Sequence, residues 1–207
     1  NANYMGEGEF VDYQGRSFLI SDIVDDKTGD LWIGTWGQGA AIADKPSGLT
    51  RLLPYGLLQN RVNVIVPDDS VIWVSGAVFD DFRTGLTAFN SEENEFSYVE
   101  SGVDFSFPSV DVNCLALDDE QLFVGTPVGV YFVDRNSWST RGPIKRSRGL
   151  LDDNILSLGT LGSELYVGTA AGLDMIDLAT DSIFHIQPKT FVNQIVYDVV
   201  PVDSTVW

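Results

Sequence analysis

Histidine and cysteine are almost missing from this sequence: His185 and Cys114 are the only ones. A single cysteine excludes an internal disulfide framework. The single histidine, in the stretch SIFHIQ, has no second base beside it with which to share proton transfer. Cations are scarce too, 12 Lys and Arg against 30 Asp and Glu, for a formal net charge of −18. Such a surface repels nucleic acid and anionic lipid, so neither a nucleic-acid partner nor membrane insertion is expected. No apolar run approaches a bilayer span, and no signal peptide is recognisable. The initial Asn is what a processed or trimmed chain would show. Helical periodicity is lacking as well: no segment keeps apolar residues at i, i+3 and i+4 over three turns. What is present is a chain 44% hydrophobic and 12% aromatic, enough over 207 residues for a sizeable core.

That apolar content is periodic. An aromatic–aliphatic–Gly–Thr step, LWIGT at Leu31–Thr35, returns as LFVGT at Leu122 and LYVGT at Leu165, and as IWVSG at Ile72. Its aromatics are Trp32, Trp73, Phe123, Tyr166 and Trp207, spaced 41, 50, 43 and 41 residues apart. Periods of about 40–50 residues suit a propeller blade of four strands. Within each unit a short apolar run ends in an acidic turn, as in VNVIVPDDS and VNCLALDDE. The aromatic strand follows, apolar on both faces as a strand between neighbouring blades would be. A Gly-bearing turn leads to a third strand (AAIAD, LTAFN, VYFVD, LDMID), and a more polar fourth closes the unit (LTRLLP, EFSYVE, SWSTRG, SIFHIQ). Gly34, Gly125 and Gly168 stand where first and second strands crowd toward a central axis.

The predicted fold is therefore all-β: a β-propeller of antiparallel four-stranded blades in a single domain or propeller segment, 1–207. The repeats fall near 1–19 (partial), 20–60, 61–110, 111–153, 154–193 and 194–207 (partial). Tyr4–Asp12 matches second and third strands, and Val196–Trp207 a first strand with part of a second. Pairing the two ends would close a fifth blade and cover exposed sheet edges. The other expectation is a segment of a larger propeller.

The units resemble the two-component regulator propeller repeat, most fully over Asp22–Asp44 (DIVDDKTGDLWIGTWGQGAAIAD) and Gly149–Asp177, with GLLQNRVNVIV from Gly56 and GLLDDNILSL from Gly149 similar to its lead-in. The resemblance implies a propeller in a periplasmic, extracellular or cell-surface setting, acting as a sensor input domain or a surface-associated module.

Under that topology, the turns between second and third strands share one rim with the connections entering each blade. Trp36 and Gln38 stand on the first such turn, and Phe79, Asp80, Asp81, Phe82 and Arg83 on an insertion in the second. Aromatic area beside orienting polar groups is what recognition uses, although Trp36 and Phe79 could equally cap the core. Arg141, Lys145, Arg146 and Arg148 reverse the local charge and could dock an acidic partner, or be a solvated loop. The paired acids Asp25–Asp26, Asp68–Asp69, Asp118–Asp119 and Asp152–Asp153 are expected to cap turns, not to gather around a metal. His185 is expected on an outer strand and Cys114 buried on a first strand; Trp32 is expected in the core. No cofactor is implied. The leading expectation is a non-enzymatic recognition or scaffold module binding a protein partner or ligand through the rim. A sensor domain for oligosaccharide, stacking on Trp36 and Phe82, is the second, and a lyase-type propeller enzyme is disfavoured.

Overall fold

The computed structural model describes residues 4–12, 15–37, 39–53, 56–59, 61–78, 84–102, 107–186 and 194–207. They form an all-β, propeller-like array of antiparallel sheets, with no α-helix among the described residues. Sheet II runs β7 (Val62–Asp68), β8 (Val71–Gly76), β9 (Gly85–Asn90) and β10 (Glu95–Glu100). Sheet III comprises β11 (Cys114–Leu117), β12 (Gln121–Thr126), β13 (Gly129–Asp134) and β14 (Thr140–Ile144). Sheet IV comprises β15 (Ile155–Leu161), β16 (Glu164–Thr169), β17 (Gly172–Asp177) and β18 (Ser182–Ile186). In each, consecutive strands pair side by side, the order the repeat predicts.

Sheet I departs from this pattern. It is six-stranded: β1 (Tyr4–Gly6), β2 (Glu9–Val11), β3 (Ser17–Asp25), β4 (Asp30–Thr35), β5 (Gly39–Asp44) and β6 (Thr50–Leu53). The cause is β3, which pairs with β2 through Ser17–Leu19 and with β4 through Ile20–Asp25. One unbroken strand is thus the outer strand of the first unit and the inner strand of the next. At the other end, β19 (Pro201–Val202) and β20 (Thr205–Val206) make a separate hairpin, extended by reciprocal Val200–Trp207 backbone bonds of 2.8 and 3.0 Å. Tyr4–Gly6 and this hairpin lie in different sheets, so the end-to-end pairing is not made.

The core lies in the seams between sheets. Sheets II and III enclose Trp73, Leu86, Leu115, Leu122, Val124 and Tyr131; sheets III and IV enclose Phe123, Phe132, Ile144, Ile155, Leu165 and Ile176. β12 and β13 are buried almost throughout because both of their faces meet another sheet. Polar ties cross the seams: Asn63 donates to the Val112 carbonyl at 3.1 Å, and Asn113 to that of Ile155 at 2.7 Å. Gly125 sits at such a seam, where a Cβ would collide with the Cys114 sulfur and come within 2.8 Å of Ile155. The expected crowding is real there.

Trp32 corrects an expectation. It is 44% exposed, whereas its counterpart Trp73 is 2% exposed. The face of sheet I that carries Trp32 and Val24 is not covered as Trp73 is covered by sheet III, and only Ile42 beside Trp32 is buried there; the Phe10–Phe18–Ile33 cluster fills the other face.

Candidate functional site

Turn chemistry positions Trp36 and its equivalents in the other repeats. In three repeats the Thr that ends the second strand donates its hydroxyl to the Gly that opens the third: Thr35 to Gly39, Thr126 to Gly129 and Thr169 to Gly172, at 2.8–2.9 Å. Ser75 makes the same bond to Gly85 at 2.7 Å, across the longer insertion. The Gly–Thr step therefore encodes a closed turn. Gly129 has φ +124, and a Cβ there would meet the Ile144 carbonyl oxygen at 2.6 Å, so only glycine fits.

The first of these turns carries Trp36. Its backbone N–H is held by the Leu19 carbonyl at 2.9 Å while its ring is 71% exposed. Trp36 is thus a presented side chain on a fixed backbone, not a cap on the core. Gln38, Phe79, Asp80, Asp81, Phe82 and Arg83 lie outside the described residues.

The basic cluster divides. Arg141, on β14, pairs with Asp181 at 3.1 Å and its guanidinium lies 3.9 Å from the Phe132 ring centroid, so it ties sheet III to sheet IV. Lys145, Arg146 and Arg148 are exposed in the connection into sheet IV, where Arg146–Arg148 forms a single 3-10 turn. That connection belongs to the same rim as the turns between second and third strands.

Several of the paired acids cap turns, whereas Asp68 accepts the Trp73 indole N–H and pairs with Arg135. Asp25 accepts the Lys27 N–H, Asp26 those of Thr28 and Asp30, and Asp118 those of Glu120 and Gln121. The acid or amide ending each third strand does the same: Asp44, Asn90, Asp134 and Asp177 each accept a backbone N–H three residues on. The Thr28 amide is the main reason that Asp26 is held down at about 2, and the Ser137 amide likewise lowers Asp134. Cys114 is on its first strand as expected but only partly buried, and desolvation pushes its thiol up to about 12.

His185 lies on the outer strand, as predicted, but it is not isolated. It is cross-strand to Asp174, with its Nδ1 2.6 Å from Oδ1 of that fully buried carboxylate. The other Asp174 oxygen accepts the Leu151 N–H at 2.9 Å. Burial raises the Asp174 pKa, opposed by these two hydrogen bonds. In sheet II, Thr87 takes the corresponding place and accepts the N–H of Leu58 at 3.1 Å. The motif is a device for holding the lead-in segment.

Two clefts stand out. One, of about 530 Å³, is apolar and lies between sheet IV (Tyr166, Leu173, Ile186) and the C-terminal segment with Tyr197 and Trp207. The other, of about 260 Å³, lies between sheets II and III on the opposite rim, among the turns joining first to second and third to fourth strands. It contains Trp73 and Trp138, whose rings are 5.2 Å apart. Sequence reasoning missed it because SWSTRG was read as a strand; β14 starts at Thr140, leaving Trp138 in the turn with φ +62. The available signal was position: Gly48, Asn94 and Asp181 occupy the left-handed place in the matching turns.

No family model matches the chain, and no curated protein matches it. Solved structures do. The extracellular domain of the putative hybrid two-component system BT4673 from B. thetaiotaomicron is 22% identical with a TM-score of 0.53, over 97% of this chain and 27% of that one. PorZ, an essential bacterial surface component of the type-IX secretion system of Porphyromonas gingivalis, is 12% identical with a TM-score of 0.60, over 93% and 30%. A computationally designed protein is 11% identical with a TM-score of 0.55, over 72% and 84%. This chain spans under a third of the length of the two natural structures. A fold shared by the extracellular domain of a putative two-component system, a secretion-system component and a design carries no single function.

Proposed function

We propose that the chain is a non-enzymatic recognition segment of an extracytoplasmic β-propeller of the two-component regulator type, binding a protein partner or ligand through the rim that presents Trp36. The observation that carries this reading is the pinned backbone and open ring of Trp36: large apolar area offered at little entropic cost. Lys145, Arg146 and Arg148 on the same rim supply charge for an acidic partner. The extracytoplasmic setting is supported by the extracellular neighbour, and no helix among the described residues is long and apolar enough to cross a membrane.

The repeats together form one propeller segment in this reading. A larger assembly is favoured over a closed five-bladed ring because β1 and β20 lie in different sheets. An oligosaccharide sensor uses the same rim and the same Trp.

Screening the protein against glycan and acidic-peptide arrays, then repeating the hits with Trp36→Ala, tests the site. The variant is expected to lose binding by about tenfold or more, as removal of a hot-spot aromatic does, with an unchanged melting temperature. Undiminished binding, or a large drop in melting temperature, sinks the Trp36 site.

A further inference from the structure

The cleft between sheets II and III has a composition that the rim of Trp36 does not. Its floor is aromatic: Trp73, whose indole N–H donates to Asp68 at 3.2 Å, and the half-buried Trp138. Asp68 is also engaged by Arg135, so the one cation lining the cleft is already neutralised. The remaining charged groups are Glu93, Glu95 and Asp119, brought together from turns of two different sheets. Glu95 and Asp119 have no ion-pair partner among the described residues. The site therefore combines a π surface with an uncompensated negative charge, and both favour a cation.

Size selects further. About 260 Å³ is below the roughly 300–1,000 Å³ usual for small-molecule pockets, and suits one side chain better than an oligosaccharide. Backbone geometry accounts for where the ring stands. Trp138 holds a left-handed conformation that bulky residues rarely adopt, where the other turns place Gly48, Asn94 and Asp181. In that conformation Trp138 lines the cleft beside Trp73.

We propose that this cleft binds a single Lys or Arg side chain of a partner polypeptide, with the cation over Trp138 and against Glu95 and Asp119. The site is separate from the Trp36 rim and does not depend on it.

The test is a tryptophan-fluorescence titration of the full chain with capped Gly-Arg-Gly and Gly-Lys-Gly peptides, a citrulline analogue of the former, and maltotriose. Saturable binding of the cationic peptides is expected, about tenfold tighter than citrulline. It should weaken as salt is raised, since the Debye length shrinks from about 8 Å at 0.15 M to about 3 Å at 1 M. Glu95→Gln with Asp119→Asn should abolish the preference for charge. Trp138→Asn, which adopts the left-handed turn as Asn94 does, should fold and lose binding. Trp36→Ala should leave it intact, so failure here is distinguishable from failure at the other rim. Equal binding of citrulline, preference for maltotriose, no saturation, or full binding by a folded Trp138→Asn protein would each overturn the proposal.

Discussion

Asp174 shows how one side chain carries several obligations. Its carboxylate is fully buried, and its two oxygens hold the lead-in through Leu151 and the outer strand through His185. Because burial raises its pKa, its ionisation opposes folding, and that penalty sets in as pH rises past the unfolded value near 3.8. Asp174→Asn keeps an acceptor for Leu151 and buries no charge, so its stability at pH 7 is expected to stay near wild type. Asp174→Leu leaves the Leu151 N–H without that acceptor and is expected to cost about 1–3 kcal/mol in urea denaturation. Equal stability of the two variants would refute the latch. The sequence showed His185 on an outer strand, but not the acid beneath it. Cross-strand partnership depends on register, and Asp174 and His185 face each other only once β17 and β18 are aligned.

At the scale of the strand and turn, the sequence was most legible where a residue type answers a local need. The Thr and Gly of the repeat close a turn, and the terminal Asp of each third strand caps the next one. Both bonds are local enough to be encoded by spacing alone. Crowding at Gly125 was readable for the same reason, and Gly125→Ala is expected to lower stability by about 1–3 kcal/mol as Cys114 and Ile155 are forced apart. Calorimetry checks this; a neutral substitution there would mean that the seam is looser than drawn. What the sequence concealed was the start of β14. Trp138 and Thr140 both suit a strand, and only the place of Trp138 in the turn reveals its role. The cleft it lines draws on sheets II and III, so no single repeat announces it.

For the whole molecule, two electrostatic effects act in opposite directions. A net charge of −18 at pH 7 means that folding compresses like charges, and protonation on the way to the pI near 4.1 relieves this. The turn-capping acids work against acidification. The Lys45 ammonium on Asp25, the Thr28 amide on Asp26, the Ser47 hydroxyl on Asp44 and the Ser137 amide on Asp134 each hold a carboxyl below 3.8. A lowered folded pKa gives stability that is complete above the unfolded value and lost as pH falls through the folded one. Melting temperature is therefore expected to peak near pH 4–5, about where the unfolded acids finish titrating, and to fall steeply toward about pH 2, where Asp26 is protonated. Added salt should raise it at pH 7 by screening. A profile flat from pH 7 to pH 2 would contradict both effects.

The strand Ser17–Asp25 has a mechanical meaning. Sheets II, III and IV each start on a new strand, at Val62, Cys114 and Ile155, after the last strand of the preceding sheet has ended at Leu53, Glu100 and Ile144. Between the first hairpin and the strands that follow it there is no such change of strand, because β3 passes from one to the other unbroken. A torque applied at Tyr4–Val11 is thus delivered undamped to Asp30–Asp44, and the Trp36 turn at the end of β4 moves with it. The N-terminal end is a lever with the exposed indole on its arm, whereas sheets II, III and IV are joined to one another through packed seams.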